Sequence, residues 1–142
     1  MARSIDWIIF SVSCVIAGLT SHVIFAGQDL EKREIIRLLS GNIANGYFMK
    51  EGEQAGHVGR VGLKIQFHKN GSAEKTTIPA KTSKGQFVET GKWWVNKAGR
   101  LCLSWDQENK KRCGKLKRIE GGKYVLRRKS QHVVFEEITS GR

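Results

Sequence analysis

The chain has 142 residues, and its 25 Lys and Arg against 13 Asp and Glu give a formal net charge of +12. That length holds no more than one ordinary domain, and a hydrophobic content of 39 % excludes a disordered basic tail. A charge of this size calls for an acidic partner such as nucleic acid, anionic lipid or polyanionic glycan, with solubility alone as the plainer account.

The first segment reads as an export signal. Arg3 precedes an apolar run from Ile5 to Leu19, broken only by Asp6 and small hydroxyl residues, and Ile24-Phe25-Ala26 offers a cut after Ala26. The reading is therefore a signal peptide over 1–26 and a single β-domain over 27–142, periplasmic or secreted. An uncleaved inner-membrane anchor is the alternative, although the run is shorter than the roughly 20 apolar residues of a membrane span. Ser11-Val12-Ser13-Cys14 lacks the Leu expected before a lipid-anchored Cys. Cleavage would remove Cys14 and leave Cys102 and Cys113, an even number in an oxidising compartment. Two Cys without a nearby His or third Cys make a poor zinc shell, so a structural disulfide is expected.

Gln28 to Ser40 approximates helical spacing through Leu30, Ile35, Leu38 and Leu39, with Asp29 as a cap and Gly41 as a stop. A packing helix that closes one end of a barrel is the reading. Gly41 to Gly62 is glycine-rich, with Gly56, Gly59 and Gly62 at every third position. It lacks the Gly-Lys-Ser/Thr and helix of a phosphate loop, so turns and bulges are expected. Tyr47 to Met49 is a short first strand.

Val61, Leu63, Ile65 and Phe67 share one face of the next strand. Asn70-Gly71 is a hairpin turn, and the return strand runs from Ser72 to Ile78 before Pro79. The same turn spells a glycosylation sequon with Ser72, which the turn accounts for. Lys81 to Gln86 is a polar loop. Phe87 to Asn96 is a strand with a break at Gly91, and Lys97-Ala98-Gly99 turns the chain. Leu101, Leu103 and Trp105 then share a face. A turn centred between Gln107 and Glu108 sets Asp106 opposite Asn109 and Trp105 opposite Lys110. Cys102 then falls opposite Cys113, on the face away from Leu101 and Leu103, at a spacing that a disulfide spans. Strands follow at Lys115 to Ile119, Lys123 to Arg128 and His132 to Ile138, turned by Gly121-Gly122 and by Lys129 to Gln131. About eight locally connected strands predict a mainly β fold: a small antiparallel up-and-down barrel with a short N-terminal helix. A compact sandwich is the alternative.

The charge is clustered. Lys110, Lys111, Arg112, Lys115, Lys117, Arg118, Lys123, Arg127, Arg128 and Lys129 face only Glu120 between positions 110 and 129. On alternating strands they make a basic stripe, a candidate anion-binding surface, beside the plainer account of a solvated face.

The pattern Gly91-x-Trp93, Gly99-Arg100-Leu101-Cys102-Leu103-x-Trp105, Cys113 and Gly121-Gly122-x-Tyr124, after Leu39-Ser40-Gly41-Asn42 and a signal segment, resembles a family of small exported alphaproteobacterial proteins of unknown function. The resemblance implies a periplasmic β-protein and supports the Cys102–Cys113 bridge; it carries no catalytic residue. Gly91-x-Trp93 is also similar to the Gly-x-Trp of lipocalins, where it lies in the first strand, and implies barrel architecture.

Four functions follow. The first is a non-enzymatic binding module docking to an anionic envelope component, lipid or polysaccharide. The second is a carrier holding a small apolar ligand in the barrel lumen, with Phe67, Trp93 and Trp105 as wall candidates. The third is a protein inhibitor or a subunit of an envelope complex. The fourth is an enzyme, for which no acid–base pair stands out: Asp106 and Glu108 sit in a turn, and His57, His68 and His132 show no metal spacing. No cofactor and no metal is expected, and export argues against nucleic acid.

Overall fold

A computed structural model describes residues 27–50, 52–53, 60–79 and 85–142. The expected signal segment over 1–26 lies outside these residues, as do His57, Gly56 and Gly59 and most of the expected polar loop from Lys81 to Gln86. Among the described residues no helix is long and apolar enough to cross a membrane.

The chain forms a closed antiparallel barrel of eight strands rather than a sandwich. A two-residue strand, β1 (Gln28–Asp29), precedes helix α1 (Lys32–Leu39). The barrel strands are β2 (Asn42–Lys50), β3 (Gly62–Phe67), β4 (Ser72–Ile78), β5 (Phe87–Val95), β6 (Leu101–Trp105), β7 (Lys111–Arg118), β8 (Tyr124–Arg127) and β9 (Gln131–Ser140). Each pairs with the next, and β9 returns to pair with β2, closing the cylinder. Closure removes the exposed edges that an open sheet would leave. β1 adds to the free part of β7, pairing Gln28 with Arg118 and Asp29 with Lys117.

Alternation on the strands builds the core. Leu63, Ile65 and Phe67 of β3, Trp93 and Val95 of β5, Leu101, Leu103 and Trp105 of β6, and Leu116, Leu126, Val133 and Phe135 turn inward and are buried. Phe67 meets Trp93 edge-on at 5.4 Å and Phe135 at 6.4 Å between ring centroids, the favoured geometry for aromatic pairs. Helix α1 closes the floor of the barrel with Ile35 and Leu39, both fully buried. The opposite end, where β2, β4, β6 and β8 finish, is the mouth.

Several elements differ from expectation. Asp29 does not cap the helix; the open edge of β7 takes its backbone instead, and the helix starts later, with the Glu31 amide donating to Glu34 Oε2 at 2.9 Å. The first barrel strand is nine residues long, not three. Asn45 and Gly46 are weak strand formers, but a bulge against β9 between them keeps the ladder going on both sides. The bulge shifts the inward parity of β9, so that Phe135 and Ile138 both reach the core. β5 runs unbroken through Gly91, whose missing side chain makes room for the Trp105 ring: a Cβ there would lie 2.6 Å from a ring carbon. The two segments on either side of Gly114 are one strand, β7. At the Asn70-Gly71 turn, Gly71 has φ 88° and Asn70 Oδ1 accepts from the Ser72 amide at 2.9 Å.

Candidate anion-binding groove

The hairpin of β6 and β7 organises the basic surface. Leu101 pairs with Gly114, Cys102 with Cys113, Leu103 with Arg112 and Ser104 with Lys111. Cys102 and Cys113 are disulfide-bonded with Cα atoms 4.0 Å apart. The register thus puts the bridge on the outer face of the sheet, with Cys102 fully buried there.

Strand alternation then sorts the cations. Because Leu116 points inward, Lys111, Cys113, Lys115 and Lys117 of β7 point outward. On β8, Leu126 points inward and Arg127 outward, directly opposite Lys115. Two like charges in one cross-strand pair are unfavourable by themselves, and Asp29, 3.4 Å from Lys115, offsets part of that. A groove of about 620 Å³ runs over this face and across the β8–β9 turn. Among the described residues its lining holds eight cations (Arg100, Lys111, Arg112, Lys115, Lys117, Arg127, Arg128 and Lys129) with Ser130, Gln131 and His132, and no carboxylate.

Seven of the ten cations singled out in the sequence therefore meet in one groove. Lys110 stays in the β6–β7 turn, outside it. Arg118 stacks over the Tyr124 ring at 5.8 Å and Lys123 lies 3.6 Å from Glu136, both toward the floor. Arg100 was not anticipated, because it lies ten residues before the charged run; the β6–β7 pairing brings it in.

Asp29 borders the groove, with Lys117 at 3.3 Å and Lys115 at 3.4 Å. Burial pushes its carboxyl up, but hydrogen bonds and charge from the two lysines outweigh that and hold it below the usual carboxylate range. His132, buried at the start of β9, accepts the Arg128 amide on Nδ1 at 3.3 Å and so fixes the turn backbone.

Two arginines behave differently. Arg112 lies on the inward parity of β7, at the mouth, with Nη2 3.1 Å from Glu108 Oε2. Arg128 follows Leu126 by two residues and also turns to the mouth. Burial lowers its proton affinity, the charge of Arg112 lowers it further, and Glu108 acts in the opposite direction.

The barrel interior is packed. Phe67, Trp93 and Trp105 are 0 %, 7 % and 5 % exposed and belong to the core. Beneath the mouth a recess of about 60 Å³ remains, among Lys75, Trp105, Glu108, Arg112, Arg128 and apolar neighbours. That is the space of about two waters. Beside it sits a buried ion pair that alternation alone does not reveal: Lys75 Nζ is 2.6 Å from Glu89 Oε2 and stands 4.6 Å above the Trp105 ring. The signal was present, since Lys75 and Glu89 each interrupt an inward-facing row and are direct cross-strand partners. Among the described residues no three His, Cys, Asp or Glu come together as metal ligands.

No protein-family model, curated protein or solved structure matches the chain.

Proposed function

We propose that this is an exported, non-enzymatic binding protein of the bacterial envelope that docks onto an anionic surface through the groove over β7 and β8. The observation that carries the reading is a groove lined, among the described residues, by eight cations and no carboxylate, with Asp29 at its border. A region of one charge focuses the field and raises the local concentration of anions.

Lipid headgroups are the favoured component. Ile78, Phe87 and Val88 are 44 %, 55 % and 52 % exposed. They lie where β4 ends and β5 begins, at the barrel mouth, the same end onto which Lys111, Lys129 and Gln131 of the groove open. Apolar side chains combined with cations at one end suit a bilayer interface better than a polysaccharide. The carrier reading draws less support, since the interior recess is only about 60 Å³. Membership of the exported alphaproteobacterial family, and the export signal itself, belong to the same proposal.

Co-sedimentation of the protein with phosphatidylglycerol-containing vesicles and with phosphatidylcholine vesicles, each at low and high salt, tests it. Binding to the anionic vesicles alone, weakening with salt, is expected. Equal binding to both vesicle types, or none to either, would sink the reading.

A further inference from the structure

We propose that Arg112 and Arg128 form a receptor for a single phosphate group at the barrel mouth, where the outer groove meets the interior recess. The inference rests on the docking reading for the source of the phosphate, though not for the geometry of the site.

Both arginines line the groove and the recess, as does Gln131. They therefore stand at the passage between the two. Around the recess, among the described residues, stand three cations, Lys75, Arg112 and Arg128, and two carboxylates, Glu89 and Glu108. Both carboxylates face cations, while Glu89 Oε1 and Glu108 Oε2 are themselves buried without a hydrogen-bond donor. Glu89 closes on Lys75 at 2.6 Å, and Glu108 is shared between Lys75 at 3.5 Å and Arg112 at 3.1 Å. Among the described residues no carboxylate lies within ion-pair distance of Arg128, and its Nε is buried without an acceptor. A buried donor on a charged group is costly to leave unmade.

One tetrahedral oxyanion answers the features of the two arginines. It would accept from Arg128 Nε, neutralise the excess cation and screen Arg128 from Arg112. The planar guanidinium fork matches two phosphate oxygens at once. Ser130, in the β8–β9 turn, and Gln131 supply further donors beside the arginines. The recess of about 60 Å³ takes a group of that size and not an acyl chain. On a docked headgroup, the phosphate would enter this passage while the groove lysines meet neighbouring charges. A free phosphate ion satisfies the same geometry, and the two sources differ only in what is attached.

The test uses the full chain, titrated with inorganic phosphate at constant ionic strength and followed by calorimetry or by amide resonances of the β8–β9 turn. Saturable phosphate binding that chloride does not reproduce is expected. Arg128→Gln should weaken it by about tenfold, and Arg128→Lys, which keeps the charge and loses the fork, should fall between. Lys64→Gln with Lys92→Gln, on β3 and β5 away from the groove, should leave phosphate binding within about threefold of wild type, because those cations contribute long-range charge only. Phosphate binding no stronger than chloride, or Arg128→Gln binding as tightly as wild type, would overturn the proposal. If Arg128→Gln fails to fold, the Arg128→Lys result decides in the same way.

Vesicles separate the sources. A preference for phosphatidic acid over phosphatidylglycerol at equal surface charge, lost in Arg128→Lys, assigns the site to a headgroup phosphate. Phosphate binding without that preference assigns it to the free ion. Vesicle binding without a phosphate site would overturn this inference and leave the docking reading standing; a phosphate site without vesicle binding would do the reverse.

Discussion

Glu89→Ala is expected to lower the unfolding free energy by about 3–5 kcal/mol, the range for removing one partner of a buried ion pair. The side chains of Lys75 and Glu89 are only 9 % and 4 % exposed, so the stranded ammonium could not simply return to water. It would keep the Trp105 face at 4.6 Å and Glu108 at 3.5 Å, which places the loss toward the lower end of that range. Lys75→Met with Glu89→Leu is expected to be neutral or stabilising by up to about 4 kcal/mol, since no charge is then desolvated. Urea denaturation of the three proteins checks both values. A single variant within about 1 kcal/mol of wild type, well below the buried-pair range, would show that the pair is not desolvated.

Replacing both bridge cysteines, Cys102→Ala with Cys113→Ala, is expected to cost about 3 kcal/mol, as the chain-entropy account gives for so short a loop. The two residues are 11 apart and paired in the ladder. The barrel does not depend on the bridge for closure, because β7 also pairs with β8 and β9 with β2. The groove lysines keep their outward parity for the same reason. Thermal denaturation should therefore show a clear fall in stability, while binding to anionic vesicles persists in the folded protein. Abolished binding in a variant that is still folded would place the function in the bridge itself.

The parts of the fold that were legible in the sequence are those set by local rules. Alternation in Leu63, Ile65 and Phe67 and the Asn70-Gly71 turn gave the β3–β4 hairpin, and the turn at Gln107-Glu108 gave the register that brings the cysteines together. The parts that were not legible depend on partners far along the chain. Nothing near Asn45-Gly46 announces a strand; β9 holds it in place. Asp29 looks like a helix cap until the exposed edge of β7 is known. Lys75 and Glu89 look like solvated charges until two strands are aligned and both face inward.

The groove shows the same division. A charged run between 110 and 129 was plain in the sequence, but strand parity and barrel ends decide which of its cations converge. Lys115 and Arg127 share the outer face, Arg112 and Arg128 turn to the mouth, and Lys123 and Arg118 go to the floor. Arg100 joins through cross-strand pairing alone. Phe87 and Val88 look like ordinary strand residues in the sequence, and their exposure at the mouth emerges only from the three-dimensional arrangement.

The central claim is that the arrangement of charge, and not its total, directs the protein to an anionic surface. Vesicle binding of Lys115→Gln with Arg127→Gln, measured beside Lys64→Gln with Lys92→Gln, tests it most directly. Lys64 and Lys92 are exposed on β3 and β5, away from the groove, so both pairs remove the same net charge. At about 1 kcal/mol for each basic residue close to an anionic leaflet, the groove pair should lose roughly thirtyfold in affinity and the control pair less than about threefold. Equal losses from the two pairs would show that net charge alone accounts for binding, and would contradict the groove.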